Sequence, residues 1–362
     1  MRIVHLTNKM SNLADGVVNV VVDLSTAQAA AGDEVVVAST GGDYEPLLRD
    51  RGVRTARIDF TDRGPRGLLR ARGRLRALIA EFRPEVIHSH TMTPALLAST
   101  LRTPGAVTVG TVHSGHQRES RLLGVCDVVV CVSGAVERSM SQSALCRGKT
   151  AVVYSGVVGT PRRSGDVVVP KLEGRSVVAV GSLKRIKGTD VLLRAFGRVA
   201  AELPDAHLYF VGNLDDEELV RPFRSEPWFG RVHLEGFHPD PTGYLLAADV
   251  FVQASRREAL GLAILEALHA GIPVIGSDSE GIPEALQHGR AGDIFPNEDD
   301  AALADLLLRR LRETRDRAAD GPRPDAPSAP GGRRDFSVAR MAADYDAVYR
   351  RARSGRSSTP AP

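Results

Sequence analysis

Short apolar runs rich in Val and Ile alternate along the chain with longer stretches whose apolar positions recur every three or four residues. The short runs lie at residues 2–6, 34–39, 55–59, 86–89, 107–112, 128–132 and 151–153. Their length and β-branched content predict strands, and the longer stretches predict helices. A second series follows at residues 176–180, 207–211, 232–235, 250–253 and 273–277. Strands separated by helices predict βαβ units and parallel sheets. The pattern restarts after "GTPRRSGDVVVPKLEGR", whose Gly, Pro and charge mark a linker.

The predicted fold class is therefore α/β, with two Rossmann-like, doubly wound parallel-sheet domains facing across a cleft. The expected boundaries are 1–160 for the first domain, 161–175 for the linker and 176–314 for the second domain. Residues 315–334 are rich in Pro, Gly, Ala and charge, so they are expected to form a disordered loop. Residues 336–353 carry Val338, Met341, Tyr345 and Tyr349 at helical spacing. That helix is expected to pack back on the first domain, with 354–362 a frayed tail.

In sheets of this kind, ligands bind at the carboxyl ends of the strands. The stretch "REALGLAILEALHAGIPVIGSD" lies there and holds two carboxylates, Glu258 and Glu266, eight positions apart. A helix from Gly261 or Leu262 to Ala270 is predicted, ended by Gly271 and Pro273. It is apolar nearly all round and so buried. A buried Glu266 needs a partner, either a core arginine or ligand hydroxyls. On one continuous helix, residues eight apart are separated by about 12 Å and ~80°. Glu258 and Glu266 could then not grip one small group. With Glu258 on the preceding loop they can hold two ends of a longer ligand. The helix N-terminus at Gly261 and Leu262 would offer its N–H groups to an anion between them.

Composition adds a second signal. Of 47 basic residues, nearly all are Arg. Yet Lys184 and Lys187 flank Arg185 in one loop after a predicted strand end, "VAVGSLKRIKG". Clustered lysine in a lysine-poor chain suits a phosphate contact; a solvated basic turn is the alternative. Thr189 and Asp190 are expected to cap the helix that follows. The net charge of +3 gives little reason to expect nucleic acid as a partner. Three cysteines without metal-ligand spacing suggest a reducing, cytoplasmic setting.

Taken together these motifs resemble the family 4 glycosyltransferases of the GT-B fold, retaining enzymes that use nucleotide-sugar donors. The E-x7-E of Glu258 and Glu266 resembles the family signature, and "VGSLKRIKG" its donor-phosphate loop. "AADVFVQAS", "AGIPVIGSDSEGIPEAL", "PEVIHSHTMTPALLAS", "GTVHS" and "CDVVVCVSGAVERSM" are similar to its other segments. The resemblance implies that Glu266 binds the ribose hydroxyls and Glu258 the transferred sugar. It implies that Lys187, with Arg185 and Lys184 nearby, neutralises the donor diphosphate. Gly261 and Leu262 would hold phosphates through their main chain, Gly16 would belong to a loop that closes over the diphosphate, and His113 would lie near the sugar. No metal cofactor is implied; the nucleotide diphosphate-sugar is a co-substrate. The acceptor would be a glycan, a lipid-linked intermediate or a small glycoside. Ser182 and Ala259 stand where the family usually has Arg and Gly. They leave a non-catalytic nucleotide-sugar-binding subunit as a second reading.

Two further features carry competing readings. His88 and His90 close a strand on the same face and could ligate a metal with His113, as in a metallohydrolase. The segment 63–82 is basic and amphipathic, with Leu68, Leu75, Leu78, Ile79 and Phe82 along one stripe. It either packs on its sheet behind a solvated Arg face or rests on anionic lipid at the inner face of the cell membrane.

Overall fold

The computed structural model describes residues 1–12, 15–101, 103–114, 118–163, 166–318 and 334–357. The chain divides into two units, Met1–Arg162 with Phe336–Pro362, and Arg163–Asp335.

The first unit holds β1 (Arg2–Leu6), β2 (Glu34–Ser39), β3 (Arg54–Arg57), β4 (Val86–Ser89), β5 (Val107–Val112), β6 (Val128–Cys131) and β7 (Thr150–Val152). They form one parallel sheet in the order β3-β2-β1-β4-β5-β6-β7. The order reverses direction beside β1, so the carboxyl ends of β1 and β4 flank the switch point where such sheets bind ligands. On one side Val4, Leu6 and Ile87 pack with Phe60, Leu75 and Phe82. Another cluster joins Val35 and Val37 to Val18, Val21 and Leu48. The three cysteines are buried free thiols.

The second unit holds β8 (Arg175–Val180), β9 (Ala206–Val211), β10 (Val232–Gly236), β11 (Val250–Gln253), β12 (Val274–Ser277) and β13 (Asp293–Phe295). It is also all parallel, in the order β10-β9-β8-β11-β12-β13. Its core joins Val177, Leu208, Val250 and Ile275 of the sheet to Val191, Phe196 and Leu307 of flanking helices.

Two expectations need correction. The helix Asp300–Ala318 continues past residue 314 into the stretch assigned to a loop. Charged residues of good helix propensity do not end a helix, and Arg310 and Arg312 are tied to Asp293 and Glu202. The rest of that stretch, 319–333, lies outside the described residues. The C-terminal helix Val338–Ser357 outruns residue 353, where Arg353 pairs with Glu85 at 2.5 Å. The remainder of the tail, 358–362, is outside the described residues.

The basic amphipathic helix, Pro65–Phe82, takes the first of its two readings and packs on its sheet behind a solvated Arg face. Gly67, Ala71, Leu75, Leu78 and Phe82 are buried in the first unit's core, so the apolar stripe is taken up by the sheet. Leu69, 70% exposed, stands outside it among Arg66, Arg70 and Arg74.

Candidate functional site

The second unit assembles its loops at the carboxyl ends of β8, β11, β12 and β13. Glu258 lies in the loop after β11, outside the helix Leu262–His269, which contains Glu266. The eight-residue spacing is therefore split between loop and helix, as the two-ended socket requires. Gly261 makes the join with φ 90°, where a Cβ would meet the Ile264 side chain at 2.9 Å. That left-handed conformation favours glycine. The first turn begins with Ile264 N–H donating to Gly261 O at 3.0 Å. The N–H groups of Leu262 and Ala263 precede it, the unpaired donors every helix N-terminus offers. Ala259 is buried and does not share the left-handed backbone of Gly261.

The basic loop folds onto the same edge. Residues 185–187 form one 3-10 turn, and Gly188 follows with φ 70°. A Cβ at Gly188 would lie 1.8 Å from Ala254 O, so only glycine lets this loop approach β11's extension so closely. The approach brings Lys187 Nζ to 2.7 Å from Glu258 Oε2, with Ser255 Oγ donating to the same oxygen at 3.5 Å. Lys184 points elsewhere. Its Nζ pairs with Asp215 at 2.8 Å, and this bond holds the Asp215 carboxyl below its usual range. The Arg185 side chain is exposed.

Sequence reasoning missed the residue that locks this arrangement. Arg256 donates to both oxygens of Asp190, at 2.6 and 2.9 Å, and to Arg185 O at 2.5 Å. It also bonds Glu298 beyond β13, through Nη2 at 2.7 Å and through Nε. Its own N–H donates to Ile186 O at 2.9 Å. Burial pushes the Asp190 carboxyl up, but the Arg256 bonds and charge outweigh that and bring it down to about 2. Asp190 had been expected to cap a helix. Instead Gly188 occupies the cap of Thr189–Glu202 and Asp190 serves the guanidinium. In so Arg-rich a chain, nothing singled Arg256 out.

Glu266 is buried, and Arg163 Nη2 stands 2.7 Å from its Oε1. The Nε of Arg163 is 3.2 Å from Asp240 Oδ1. The arginine partner weighed from the sequence is thus present, and it comes from the expected linker.

In the first unit, Gly16 is the exposed first residue of the helix Gly16–Ala30. Asp15 caps that helix, accepting from Val17 N–H at 3.0 Å. His113 follows β5 directly, half-buried, with Nε2 at 3.1 Å from His90 Nδ1. Burial pulls the His113 imidazole down to about 4, with Asp15 opposing, so it is neutral at physiological pH.

His88 and His90 lie with ring centroids 4.1 Å apart. The nitrogens of His5, His88 and His90 come within 4.8 Å of one another. Each ring nitrogen of the three already has a protein partner. Metal ligation would exchange those hydrogen bonds for metal bonds.

Comparison with known proteins agrees with this architecture. Residues 14–158 match the family model "Glycosyltransferase Family 4", and residues 174–313 match "Glycosyl transferases group 1". The chain belongs to this glycosyltransferase family, and its fold is GT-B. It is 28% identical over 141 residues to N-acetyl-alpha-D-glucosaminyl L-malate synthase of Bacillus anthracis, covering 38% of this chain and 36% of that protein. It is 29% identical over 254 residues to spore coat protein SA of Bacillus subtilis, covering 62% of this chain and 65% of that protein. The chain thus spans from about a third to just under two thirds of these curated relatives. Among solved structures, Anabaena Alr3699/HepE in complex with UDP and glucose superposes with a TM-score of 0.72 at 16% identity, over 97% of this chain and 100% of that one. At that identity the likeness concerns the fold.

Proposed function

We propose that the protein is a retaining glycosyltransferase that moves a sugar from a nucleotide diphosphate-sugar to a hydroxyl acceptor. The observation that carries this reading is the 2.7 Å Lys187–Glu258 pair, positioned by Arg256 in the loops before a helix that buries Glu266. Glu266 would hold the ribose, Glu258 the transferred sugar, and Lys187 with the N–H groups of Leu262 and Ala263 the diphosphate. The exposed Arg185 would complete the phosphate surroundings within the second unit.

The chemistry follows from charge. As the sugar C1–O bond to the diphosphate breaks, negative charge grows on the leaving oxygen. Fixed cations and N–H donors stabilise that charge without rearranging. The acceptor oxygen forms the new C1–O bond on the same face, and its proton passes to the departing phosphate oxygen. The cationic loop takes the part a metal would play, so transfer should persist in EDTA.

Acceptors in surface polysaccharide, lipopolysaccharide or glycoconjugate synthesis suit this reading. Among the described residues, no helix is long and apolar enough to cross a membrane. Peripheral contact with anionic lipid would use the exposed arginine face of Pro65–Phe82 around Leu69, since the apolar stripe is in the core. Product formation from a panel of UDP-, GDP- and ADP-sugars with hydroxyl acceptors tests the proposal. Nucleotide binding without turnover against any acceptor would instead support a non-catalytic subunit.

A further inference from the structure

The first unit contains an unbroken line of hydrogen-bonded side chains that the proposed reaction does not account for. It begins at His113 and runs through His90 to His5, whose Nδ1 lies 3.0 Å from His90 Nε2. His5 Nε2 lies 2.7 Å from Gln28 Oε1, and Gln28 Nε2 donates to the Tyr349 hydroxyl at 3.4 Å. Tyr349 continues to His88 Nδ1 at 2.7 Å, His88 Nε2 to Thr111 Oγ1 at 2.7 Å, and Thr111 to the Tyr345 hydroxyl at 3.0 Å. His5, Gln28, His88, His90, Thr111, Tyr345 and Tyr349 are all buried.

Such a line has only one sense at a time. A neutral imidazole has one N–H, so when one nitrogen donates the other must accept. Burial depresses all four imidazoles, His5 and His113 to about 4 and His88 and His90 well below their usual value, so all four are neutral near pH 7. The charged or titratable groups facing His113 are His90, with His5 and His88 behind it, and Asp15. Gln28 is the one member whose two ends differ permanently, carbonyl on one side and NH2 on the other. With its carbonyl toward His5, His5 must carry Nε2–H. His90 must then donate from Nε2 to His5, and His113 from Nε2 to His90. His113 Nδ1 is left bare, a hydrogen-bond acceptor. Turning the amide over would reverse each donor in the arm.

We infer that the Gln28 amide, hydrogen-bonded to Tyr349 of the C-terminal helix, sets the tautomer of His113 through His5 and His90. Gln28 and Tyr349 are positioning residues that act through His5 and His90. The functional consequence rests on the reading that His113 contacts the transferred sugar: a bare Nδ1 accepts from a hydroxyl, and the other tautomer would donate to one.

The test is 15N spectroscopy of histidine-labelled full-length protein, whose ring-nitrogen shifts separate the two tautomers. In the unaltered protein His113 should show one protonated and one bare nitrogen. In Gln28→Met, which removes the amide at nearly constant volume, both His113 nitrogens should move toward averaged values. Tyr349→Phe, which removes one oxygen, should shift them the same way to a smaller extent, and it decides alone if Gln28→Met does not fold. Transfer by Gln28→Met should lose about tenfold in kcat with the donor KM little changed. His113 shifts identical to the unaltered protein in the folded Gln28→Met variant, or in Tyr349→Phe if that variant stands alone, would overturn the inference. His113→Ala separates the two layers: undiminished transfer in that variant would remove the sugar contact while leaving the tautomer result standing.

Discussion

Lys187 Nζ lies 2.7 Å from Glu258 Oε2, pairing cation and carboxylate across 71 residues of sequence. A diphosphate arriving at this edge would compete with Glu258 for the ammonium. The exchange would leave Glu258 free to accept from sugar hydroxyls as Lys187 turns to phosphate.

Lys187→Ala should therefore cost about 10²–10³ in kcat, the size expected for one fixed stabiliser of developing charge. Lys187→Arg should recover part of it. The pair is partly exposed, at 35% and 17%, so thermal stability should change by no more than about 1 kcal/mol. Steady-state kinetics with a melting curve checks both. A stability loss matching the activity loss would make Lys187 structural.

Arg256→Met should act in the opposite proportion. It strips Asp190 and Glu298 of the guanidinium that joins three loops, costing about 2–4 kcal/mol. The pH dependence has a definite sign. Asp190 is depressed from 3.8 to about 2, so the stability it contributes is present above pH 3.8 and lost as pH falls through 2. Denaturant titrations of both proteins should show their difference shrinking across that window. A constant difference would assign the loss to something other than Asp190.

The buried histidines predict a second, higher acid transition. His5 and His113 are lowered from 6.5 to about 4 by burial. Unfolded imidazoles bind protons in that range and folded ones do not, so stability is full above 6.5 and falls as pH drops toward 4. His5→Gln should flatten the slope between those values. A denaturation midpoint independent of pH there would show that the imidazoles are solvated.

Arg163→Met should separate affinity from stability. Arg163 Nη2 lies at 2.7 Å from Glu266 Oε1, where ribose hydroxyls are proposed to bind. Losing it should lower stability by about 1–3 kcal/mol while tightening nucleotide binding a few-fold, because the ligand no longer displaces a cation. Weaker binding in Arg163→Met would make the arginine part of the nucleotide contact.

Much of this was legible in the sequence for identifiable reasons. Twelve of the parallel strands announce themselves as β-branched runs between helical stretches, and the helix behind Glu258 ends at His269, two residues before Gly271 with φ 74°. The strand Asp293–Phe295 was missed because "DIF", caught between Gly292 and Pro296, is too short to show a period. Contacts between distant residues left no local trace. Arg163 looked like linker, Arg256 like one arginine among many, and Gln28 and Tyr349 meet across 321 positions. His5 was an ordinary strand residue until parallel pairing set it beside His88.

The central claim is that Glu266 holds the ribose of a nucleotide diphosphate. Calorimetric titration of the full chain with UDP, GDP and ADP in EDTA, repeated on Glu266→Ala, tests it most directly. One nucleotide should bind the unaltered protein without metal, and Glu266→Ala should weaken that binding at least tenfold, about 1.4 kcal/mol. Equal affinity in both proteins, or no binding of any of the three, would contradict it.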